Sequence, residues 1–445
     1  MDIQKIREQF PILREKNRDK DLIYLDSAAT SLRPVSVIGS EILFYQEYGA
    51  SIHRSVYELG EKATNAYENT RKKVAKFIGS DSSESIVFTK SATESINLVA
   101  DAWGFKNLKK GDIVLLTDME HHSNIVPWQI ICDKTGAKVQ YIKSTKDGTL
   151  DLQELDDALN EKVKIVSFTH VSNVFGTINP AKTIIDKAHK NGSLVLLDGC
   201  QSAPHLKIDV KELDCDFFVF SAHKMLGPTG VGVLYGKTEI LEDMDPYQTG
   251  GGMIRDVTME KSSWSCLPHK FEAGSPPSAQ VYGMGAAIDF LNLYPSEYEN
   301  VFQYALEKMY KVDGITIYGN APERTSTISF NIDNIASLDI AQLLDYEGIT
   351  VRSGHHCCQP LMKSLNILSC ARISFYVYNT TEEVDIFIEK LNELNTDKVE
   401  PLTSVAETTL KFRSDEVKNQ NIREQIIKNS PEDNEDFFVV PKVVE

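Results

Sequence analysis

The stretch Phe217-Phe218-Val219-Phe220-Ser221-Ala222-His223-Lys224 is the strongest fold signal in this chain of 445 residues. Its first four residues predict a strand that is buried on both faces. Lys224 follows at the carboxyl end of that strand, where open α/β sheets bind their ligands. A lysine in this place can form a Schiff base with a carbonyl cofactor. The following Gly227-Pro228-Thr229-Gly230 predicts a tight turn, which by itself indicates no ligand.

Similar apolar runs recur along the chain and alternate with helical patterns such as Thr183 to Lys190. This alternation predicts an α/β fold with a mostly parallel sheet covered by helices on both faces. The runs are Ile113 to Leu116, Val139 to Ile142, Ile165 to Phe168, Leu194 to Leu197 and Val231 to Tyr235.

After about residue 288 the pattern becomes that of a smaller α+β domain. It contains predicted strands at Thr327 to Asn331 and Ala371 to Tyr376. Predicted helices lie at 297–311, 339–346 and 382–394. We therefore predict three parts: a large domain at 15–287, a small domain from 1–14 and 288–395, and an acidic C-terminal extension at 396–445.

Composition narrows the class of protein. The net charge of -17 disfavours nucleic acid as a partner and favours basic protein surfaces. An odd count of seven cysteines without paired CxxC spacing predicts neither a disulfide framework nor a zinc site. We find no signal-peptide core and no membrane-spanning apolar run. The expected location is the cytoplasm, or an organelle matrix if a leader has been removed.

Two further segments offer polar groups at predicted strand ends. Asp198 ends the run Leu194 to Leu197 and could hold a pyridinium nitrogen, although taken alone an aspartate here is better explained as a helix N-cap or loop residue. Ser91-Ala92-Thr93-Glu94 precedes a helix and could bind phosphate, but the same pattern is typical of an ordinary capping box.

The segment Arg352-Ser353-Gly354-His355-His356-Cys357-Cys358 combines histidines with cysteines. A metal site usually needs a second, separated ligand pair, and no such pair is evident, so we predict no metal. A cysteine near histidines and an arginine is instead typical of an activated nucleophile.

Together these motifs resemble the class V group of fold-type I pyridoxal-phosphate enzymes. More narrowly, the chain resembles SufS-type (group II) cysteine desulfurases, a family that overlaps selenocysteine lyases. The resemblance covers about residues 3 to 395. The matching motifs are Asp198-Gly199-Cys200-Gln201, Ser221 to Lys224, Gly354 to Cys357, Ala371-Arg372, Tyr24 to Ala29, His53-Arg54, Glu120-His121-His122, Thr169 to Asn173 and Phe271 to Ser275.

The resemblance implies a fold-type I large domain that binds pyridoxal 5'-phosphate. It implies that Lys224 carries the cofactor, His121 stacks on its ring, and Cys357 is the nucleophile. The other implied cofactor contacts are Asp198 at the ring nitrogen, Gln201 at the phenolic oxygen, Ala92, Thr93, Ser221 and His223 at the phosphate, and Asn173 beside the cofactor. Ser275 would reach the phosphate of a second subunit, which implies a homodimer. The implied substrate contacts are Arg372, Asn173, His53 and Arg352.

The implied reaction converts L-cysteine to L-alanine and leaves the sulfur on Cys357 as a persulfide, for iron-sulfur cluster assembly. A rival reading is a selenocysteine lyase or another class V lyase, although simple elimination requires no thiol. A second rival is a scaffold without cofactor, against which the intact Lys224, Asp198 and Cys357 argue.

The chain departs from the family pattern in three places. Cys358 stands where the family usually has alanine, and on an extended loop it would point away from Cys357. Cys200 is unusual beside Asp198, and packing explains it most simply. Leu338 replaces a histidine that desulfurases with a zinc-bearing SufU-type acceptor offer to the zinc, and leucine cannot bind zinc. We therefore predict a SufE-type acceptor, or a SufU-type one that uses another ligand.

The C-terminal extension carries apolar clusters at Thr408 to Phe412 and Phe437 to Pro441, separated by a polar stretch. A purely solvating tail would lack such clusters, although disorder is the simpler alternative. We predict that this segment docks on its own dimer or on a partner.

Overall fold

The structure is a computed structural model that describes residues 3–294, 299–394 and 427–428. The chain divides into two compact units, Met1–Thr396 and Asp397–Glu445. Apart from Ile427 and Lys428, the described residues belong to the first unit. The predicted docking of the extension therefore concerns residues that lie outside the described ones, and the domain bounds stay predictions.

The strands are β1 (Lys16–Asn17), β2 (Lys20–Asp21), β3 (Ile23–Tyr24), β4 (Ile86–Thr89), β5 (Ile113–Thr117), β6 (Lys138–Ile142), β7 (Val163–Thr169), β8 (Leu194–Asp198), β9 (Phe217–Ser221), β10 (Gly232–Gly236), β11 (Ile254–Val257), β12 (Ser262–Trp264), β13 (Ile315–Tyr318), β14 (Thr327–Ile332), β15 (Ile349–Thr350), β16 (Arg352–Gly354) and β17 (Cys370–Ser374). The α-helices are α1 (Ile3–Arg7), α2 (Val35–Leu43), α3 (Glu58–Phe77), α4 (Ala92–Leu98), α5 (Phe105–Asn107), α6 (Val126–Thr135), α7 (Leu152–Ala158), α8 (Ala181–Lys190), α9 (Val210–Leu213), α10 (Thr238–Asp243), α11 (Ser278–Leu293), α12 (Glu299–Met309), α13 (Ser337–Tyr346), α14 (Gln359–Ser364) and α15 (Thr381–Glu393).

The central sheet has seven strands in the order β4-β10-β9-β8-β7-β5-β6. Neighbours from β9 to β6 are parallel, whereas β10 is antiparallel to both β9 and β4. The connection from β9 to β10 is too short for a parallel crossover, so β10 must run back beside β9. The predicted α/β fold with a mostly parallel sheet is confirmed.

Both faces of this sheet are buried, which explains the continuous apolar runs. Phe218 and Phe220 of β9 belong to one hydrophobic core, while Phe217 and Val219 belong to another. Successive side chains of a strand point to opposite faces, so alternate residues fill the two cores.

A second sheet lies after the large one in the sequence, with four antiparallel strands in the order β13-β14-β17-β16. Its core contains Phe330 of β14 and Phe387 of α15, together with Ile6 and Phe10 from the N-terminus. The predicted strand at Ala371 to Tyr376 ends at Ser374, and β13 and β16 escaped prediction. Within the described residues, no helix combines the length and the apolar character needed to cross a membrane.

Candidate active site

A cavity of about 210 Å³ opens at the carboxyl ends of the parallel strands and collects most of the predicted site residues. The predicted residues that line it are Ala92, Thr93, His121, Asn173, Asp198, Gln201, Ser221, His223, Lys224, Arg352, Cys357 and Arg372. Residues from distant parts of the chain meet here because the strands before them end at one edge of the sheet. His53 and Ser275 do not line this cavity.

Asp198 and Lys224 lie on neighbouring strand ends. Asp198 ends β8, and Lys224 ends the single helical turn Ala222–Lys224 that follows β9. Asp198 is buried, and its Oδ1 accepts a hydrogen bond from the backbone N–H of Cys200 at 2.9 Å. A buried carboxylate and a lysine thus face one cavity, as the prediction for a pyridinium partner and a Schiff-base lysine requires.

The start of α4 forms the polar wall of the cavity. Ser91 caps this helix by accepting from the N–H of Glu94 at 3.4 Å. Glu94 Oε2 accepts from the N–H of Lys90 at 2.6 Å instead of from that of Ser91, so the helix has an N-cap but only half of the capping box. The N–H of Ala92 donates to Ser221 Oγ at 2.8 Å. A Cβ on Gly232 would lie 2.3 Å from the backbone of Ser91, so only glycine lets β10 approach this helix start so closely.

Burial keeps His121 neutral. Desolvation, followed by the positive charge of Lys224, lowers the pKa of His121 to about 3. Its Nδ1 accepts from the backbone N–H of Ser123 at 3.1 Å, which leaves the single proton on Nε2. Burial likewise lowers the pKa of His223 to about 4, and His223 Nδ1 lies 3.2 Å from Thr30 Oγ1.

Glu120, part of the Glu120-His121-His122 motif, is fully buried. Its Oε1 accepts from Thr117 Oγ1 at 2.6 Å and from the N–H of Thr169 at 2.9 Å, and its Oε2 accepts from Asn124 at 2.7 Å. Desolvation nevertheless raises the pKa of Glu120 to about 8. Nothing in the local sequence distinguishes this glutamate from a solvated one.

Arg372 is buried between two partners. Its Nη1 donates to the carbonyl oxygen of Asn173 at 3.0 Å, and its Nη2 donates to Asp26 Oδ1 at 3.1 Å. Its Nε is buried and has no hydrogen-bond partner among the described residues. Arg352 lies further out, with Nη1 3.6 Å from Asp26 Oδ2. A guanidinium fixed in this way suits recognition of a small carboxylate. Asp26 was not singled out from the sequence.

The loop that carries Cys357 is not extended, so the geometric reason given for separating Cys357 from Cys358 is wrong. His356 and Cys357 both have left-handed backbones, with φ of +51° and +56°. The separation itself holds, because Cys357 is half-buried and lines the cavity while Cys358 is fully buried. Cys200, expected only to pack, also lines the cavity, and burial raises the pKa of its thiol well above the usual value.

His53 and Ser275 line a different cavity of about 520 Å³. His53 Nε2 lies 2.8 Å from Glu68 Oε1. Although burial opposes ionisation, hydrogen bonds from His53 and Arg71 lower the pKa of Glu68 to about 2. Within one chain, therefore, neither His53 nor Ser275 belongs to the cavity of Lys224.

The same region holds a possible set of metal ligands: His53, Glu68 and His269. Arg71 already donates to Glu68 at 2.8 Å, and it also donates to Glu272 at 2.6 Å. A cation here would compete with a buried guanidinium for the same carboxylates, so the set suits an ion-pair network better than a metal.

The cavity fits pyridoxal 5'-phosphate. A lysine suits the carbonyl, a buried carboxylate suits a protonated ring nitrogen, and hydroxyls at the start of α4 suit the phosphate. Gln201 donates from Nε2 to the carbonyl oxygen of Ala28 at 2.8 Å, while its buried Oε1 has no partner within the described part of the chain. An unsatisfied buried polar atom on the wall indicates a site built for a ligand.

The fold and the site together define a fold-type I pyridoxal-phosphate enzyme. A family model described as aminotransferase class-V matches residues 23–387. The chain therefore belongs to the aminotransferase class-V family, and its cofactor is pyridoxal 5'-phosphate.

Proteins similar to this chain include cysteine desulfurases. A probable cysteine desulfurase from Halalkalibacterium halodurans is 48% identical over 399 residues, which cover 88% of this chain and 98% of the relative. The apo structure of a cysteine desulfurase from Thermococcus onnurineus has a TM-score of 0.83 at 36% identity, covering 88% of this chain and 97% of that one. The cysteine desulfurase CsdA from Escherichia coli has a TM-score of 0.81 at 34% identity, with coverage of 88% and 98%.

A second family model matches the C-terminal part of the chain. It is described as the Glu-tRNAGln amidotransferase C subunit, and it covers residues 382–440. The match begins inside α15 (Thr381–Glu393) and continues through residues that, apart from Ile427 and Lys428, lie outside the described ones.

Proposed function

We propose that this chain is a SufS-type cysteine desulfurase, which converts L-cysteine to L-alanine and moves the sulfur to Cys357 as a persulfide. The observation that carries the proposal is that Cys357 lines the same cavity as Lys224 and Arg372. A nucleophilic thiol beside a Schiff-base lysine can accept sulfur from the substrate, whereas simple elimination requires no thiol.

Each residue would have a distinct part in this reaction. Bound pyridoxal phosphate supplies the electron sink for the amino acid. Arg372 would bind the substrate carboxylate, and Lys224 would take and return the proton at the α-carbon. The thiolate of Cys357 would attack the substrate sulfur, so that the bond between sulfur and the β-carbon breaks. A proton added at the β-carbon then completes alanine.

The working form would be a homodimer. Helix α2 exposes an apolar stripe at Val35, Ile38 and Ile42, spaced for one helix face, and each side chain is more than 40% exposed. His53 and Ser275 face a separate cavity, which agrees with a role for Ser275 at the phosphate of a second subunit.

The sulfur would pass to a SufE-type acceptor, or to a SufU-type one using another ligand, for iron-sulfur cluster assembly. Leu338 is 58% exposed on α13, so a partner would meet leucine where zinc-ligand exchange needs a histidine. All seven cysteines are free thiols, which supports a reducing compartment such as the cytoplasm.

The test compares turnover of L-cysteine by the native protein, Cys357→Ala and Cys266→Ala, the last removing an exposed cysteine outside the cavity. Alanine formation should persist in Cys266→Ala and fall about 100-fold or more in Cys357→Ala, because the sulfur loses its nucleophile. Mass spectrometry after brief exposure to cysteine should place the added sulfur on Cys357. Full alanine formation by Cys357→Ala would refute the proposal.

The alternative is a selenocysteine lyase or another class V lyase. The same set of variants distinguishes the two, because a lyase would release selenium or sulfur from its substrate without dependence on Cys357. Turnover of both selenocysteine and cysteine that stays at the native rate in Cys357→Ala would favour the lyase.

A further inference from the structure

Cys358 stands directly after the proposed nucleophile and is completely buried. Its Sγ donates to Asn173 Oδ1 at 3.2 Å. The same amide donates from Nδ2 to the carbonyl oxygen of His356 at 2.9 Å. The thiol thus fixes which way the Asn173 amide faces, because an amide that accepts from Cys358 must present its N–H to His356.

The other side of the loop is held by His122. Its backbone N–H donates to the carbonyl oxygen of Cys357 at 2.7 Å, and its Nε2 accepts from the N–H of Gln359 at 3.1 Å. The loop therefore lies between two anchors, His122 and Asn173. His356 and Cys357 both have left-handed backbone conformations. Such conformations are unfavourable for residues other than glycine and persist only where surrounding contacts stabilise them.

We propose that Cys358 is a positioning residue: through Asn173 it holds the Cys357 loop in its left-handed conformation and so keeps the Cys357 thiol facing the cavity. The inference rests on the proposed role of Cys357. It gives Cys358, the second cysteine of the Cys357-Cys358 pair, a role that does not involve carrying sulfur. Burial raises the pKa of the Cys358 thiol, which keeps it protonated and able to donate.

Three variants separate positioning from packing: Cys358→Ser, which keeps a donor at nearly the same place, Cys358→Ala, which removes it, and Cys266→Ala as an exposed control. Losing one buried hydrogen bond should lower kcat for cysteine about three- to tenfold in Cys358→Ala. KM should stay within about twofold, because Arg372 contacts the backbone oxygen of Asn173 and not its amide. Cys358→Ser should restore kcat to within about twofold of the native value.

A second readout does not depend on turnover. Alkylation of Cys357 by iodoacetamide, followed by peptide mass spectrometry, reports how the loop presents this thiol. The rate should rise about threefold or more in Cys358→Ala and stay near the native rate in Cys358→Ser, since the loop is released only in the first. The buried thiols of Cys132 and Cys215 serve as internal standards, because faster labelling there would reveal general unfolding.

The outcomes are distinguishable. Equal kcat and equal Cys357 alkylation in Cys358→Ala and native protein would overturn the inference, as would a serine variant that behaves like alanine. Added sulfur found on Cys358 would overturn it too, in favour of a sulfur-carrying role. Failure of the proposed function would instead appear as full turnover by Cys357→Ala, and the alkylation rates would still test the positioning.

Discussion

Arg372 and Asp26 form a fixed pair at the wall of the cavity, with Arg372 Nη2 donating to Asp26 Oδ1 at 3.1 Å. The second arm of the guanidinium is tied to the Asn173 backbone, and burial lowers the pKa of Arg372 without removing its charge at neutral pH. The fork is therefore oriented before a substrate arrives. Preorganisation of this kind reduces the cost of binding a small carboxylate.

We expect Arg372→Lys to raise KM for cysteine about 10- to 100-fold, because an ammonium cannot reproduce the planar fork held by Asp26 and Asn173. Steady-state kinetics at saturating and low cysteine would measure this. Arg14→Lys, at an exposed arginine, should leave KM unchanged. A KM for Arg372→Lys within twofold of native would show that the carboxylate binds elsewhere.

Lys224→Ala should remove the visible absorbance of the Schiff base in the purified protein and abolish cysteine turnover. The expectation follows from the place of Lys224 at the end of β9, facing the cavity that also contains Asp198. Absorption spectra with added pyridoxal phosphate would measure it, with Lys207→Ala as an exposed control. Normal turnover by Lys224→Ala would exclude this lysine.

The sequence was sufficient to predict those site residues that follow a predicted strand or belong to a recognisable motif. Lys224 and Asp198 follow apolar runs, and parallel topology then brings them to one edge of the sheet. It did not predict Asp26 or Glu120, because their roles depend on burial and on partners distant along the chain. It also failed on the Cys357 loop, since local alternation assumes an extended backbone and the left-handed turn at His356 comes from tertiary hydrogen bonds.

Because of Glu120, we expect the free energy of unfolding to decrease toward alkaline pH. Burial raises its pKa from 4.5 to about 8, so the folded state holds a proton that the unfolded state releases. The resulting stabilisation is present below about pH 4.5 and is lost as pH rises through about 8, by at most about 1.4 kcal/mol per pH unit. Urea unfolding of the native protein and Glu120→Gln between pH 5 and 9 measures this. The glutamine variant, which cannot ionise, should show the shallower decrease; parallel curves would contradict the assignment.

Leu338→His should place a side chain that can bind zinc on the exposed side of α13. If the missing histidine explains acceptor choice, this variant should gain stimulation of cysteine turnover by a zinc-bearing SufU-type protein, whereas the native chain should respond to a SufE-type protein. Leu343→His on the same helix is the matched control, because Leu343 is also exposed, at 44%. Equal stimulation of the two variants would show that position 338 does not decide the acceptor.

The last prediction concerns where the class-V fold stops, because the amidotransferase-like match starts at residue 382, inside α15. Val384, Phe387 and Leu391 of this helix are buried in the core beneath the four-stranded sheet. Arg7 donates to Glu383 at 2.7 Å, and Glu383 forms a capping box with Thr380. The first turns of the matched segment are thus structural parts of the first unit.

A chain ending after Leu394 should therefore stay folded, bind pyridoxal phosphate and retain basal cysteine turnover. A chain ending after Thr380 loses three buried apolar side chains, each contributing about 1.5–3 kcal/mol by burial, and should unfold or aggregate. Urea unfolding and cofactor absorbance of both truncations measure the difference. If the chain ending after Leu394 also lost its fold, residues 395–445 would be required for folding, and the class-V fold would not end at α15.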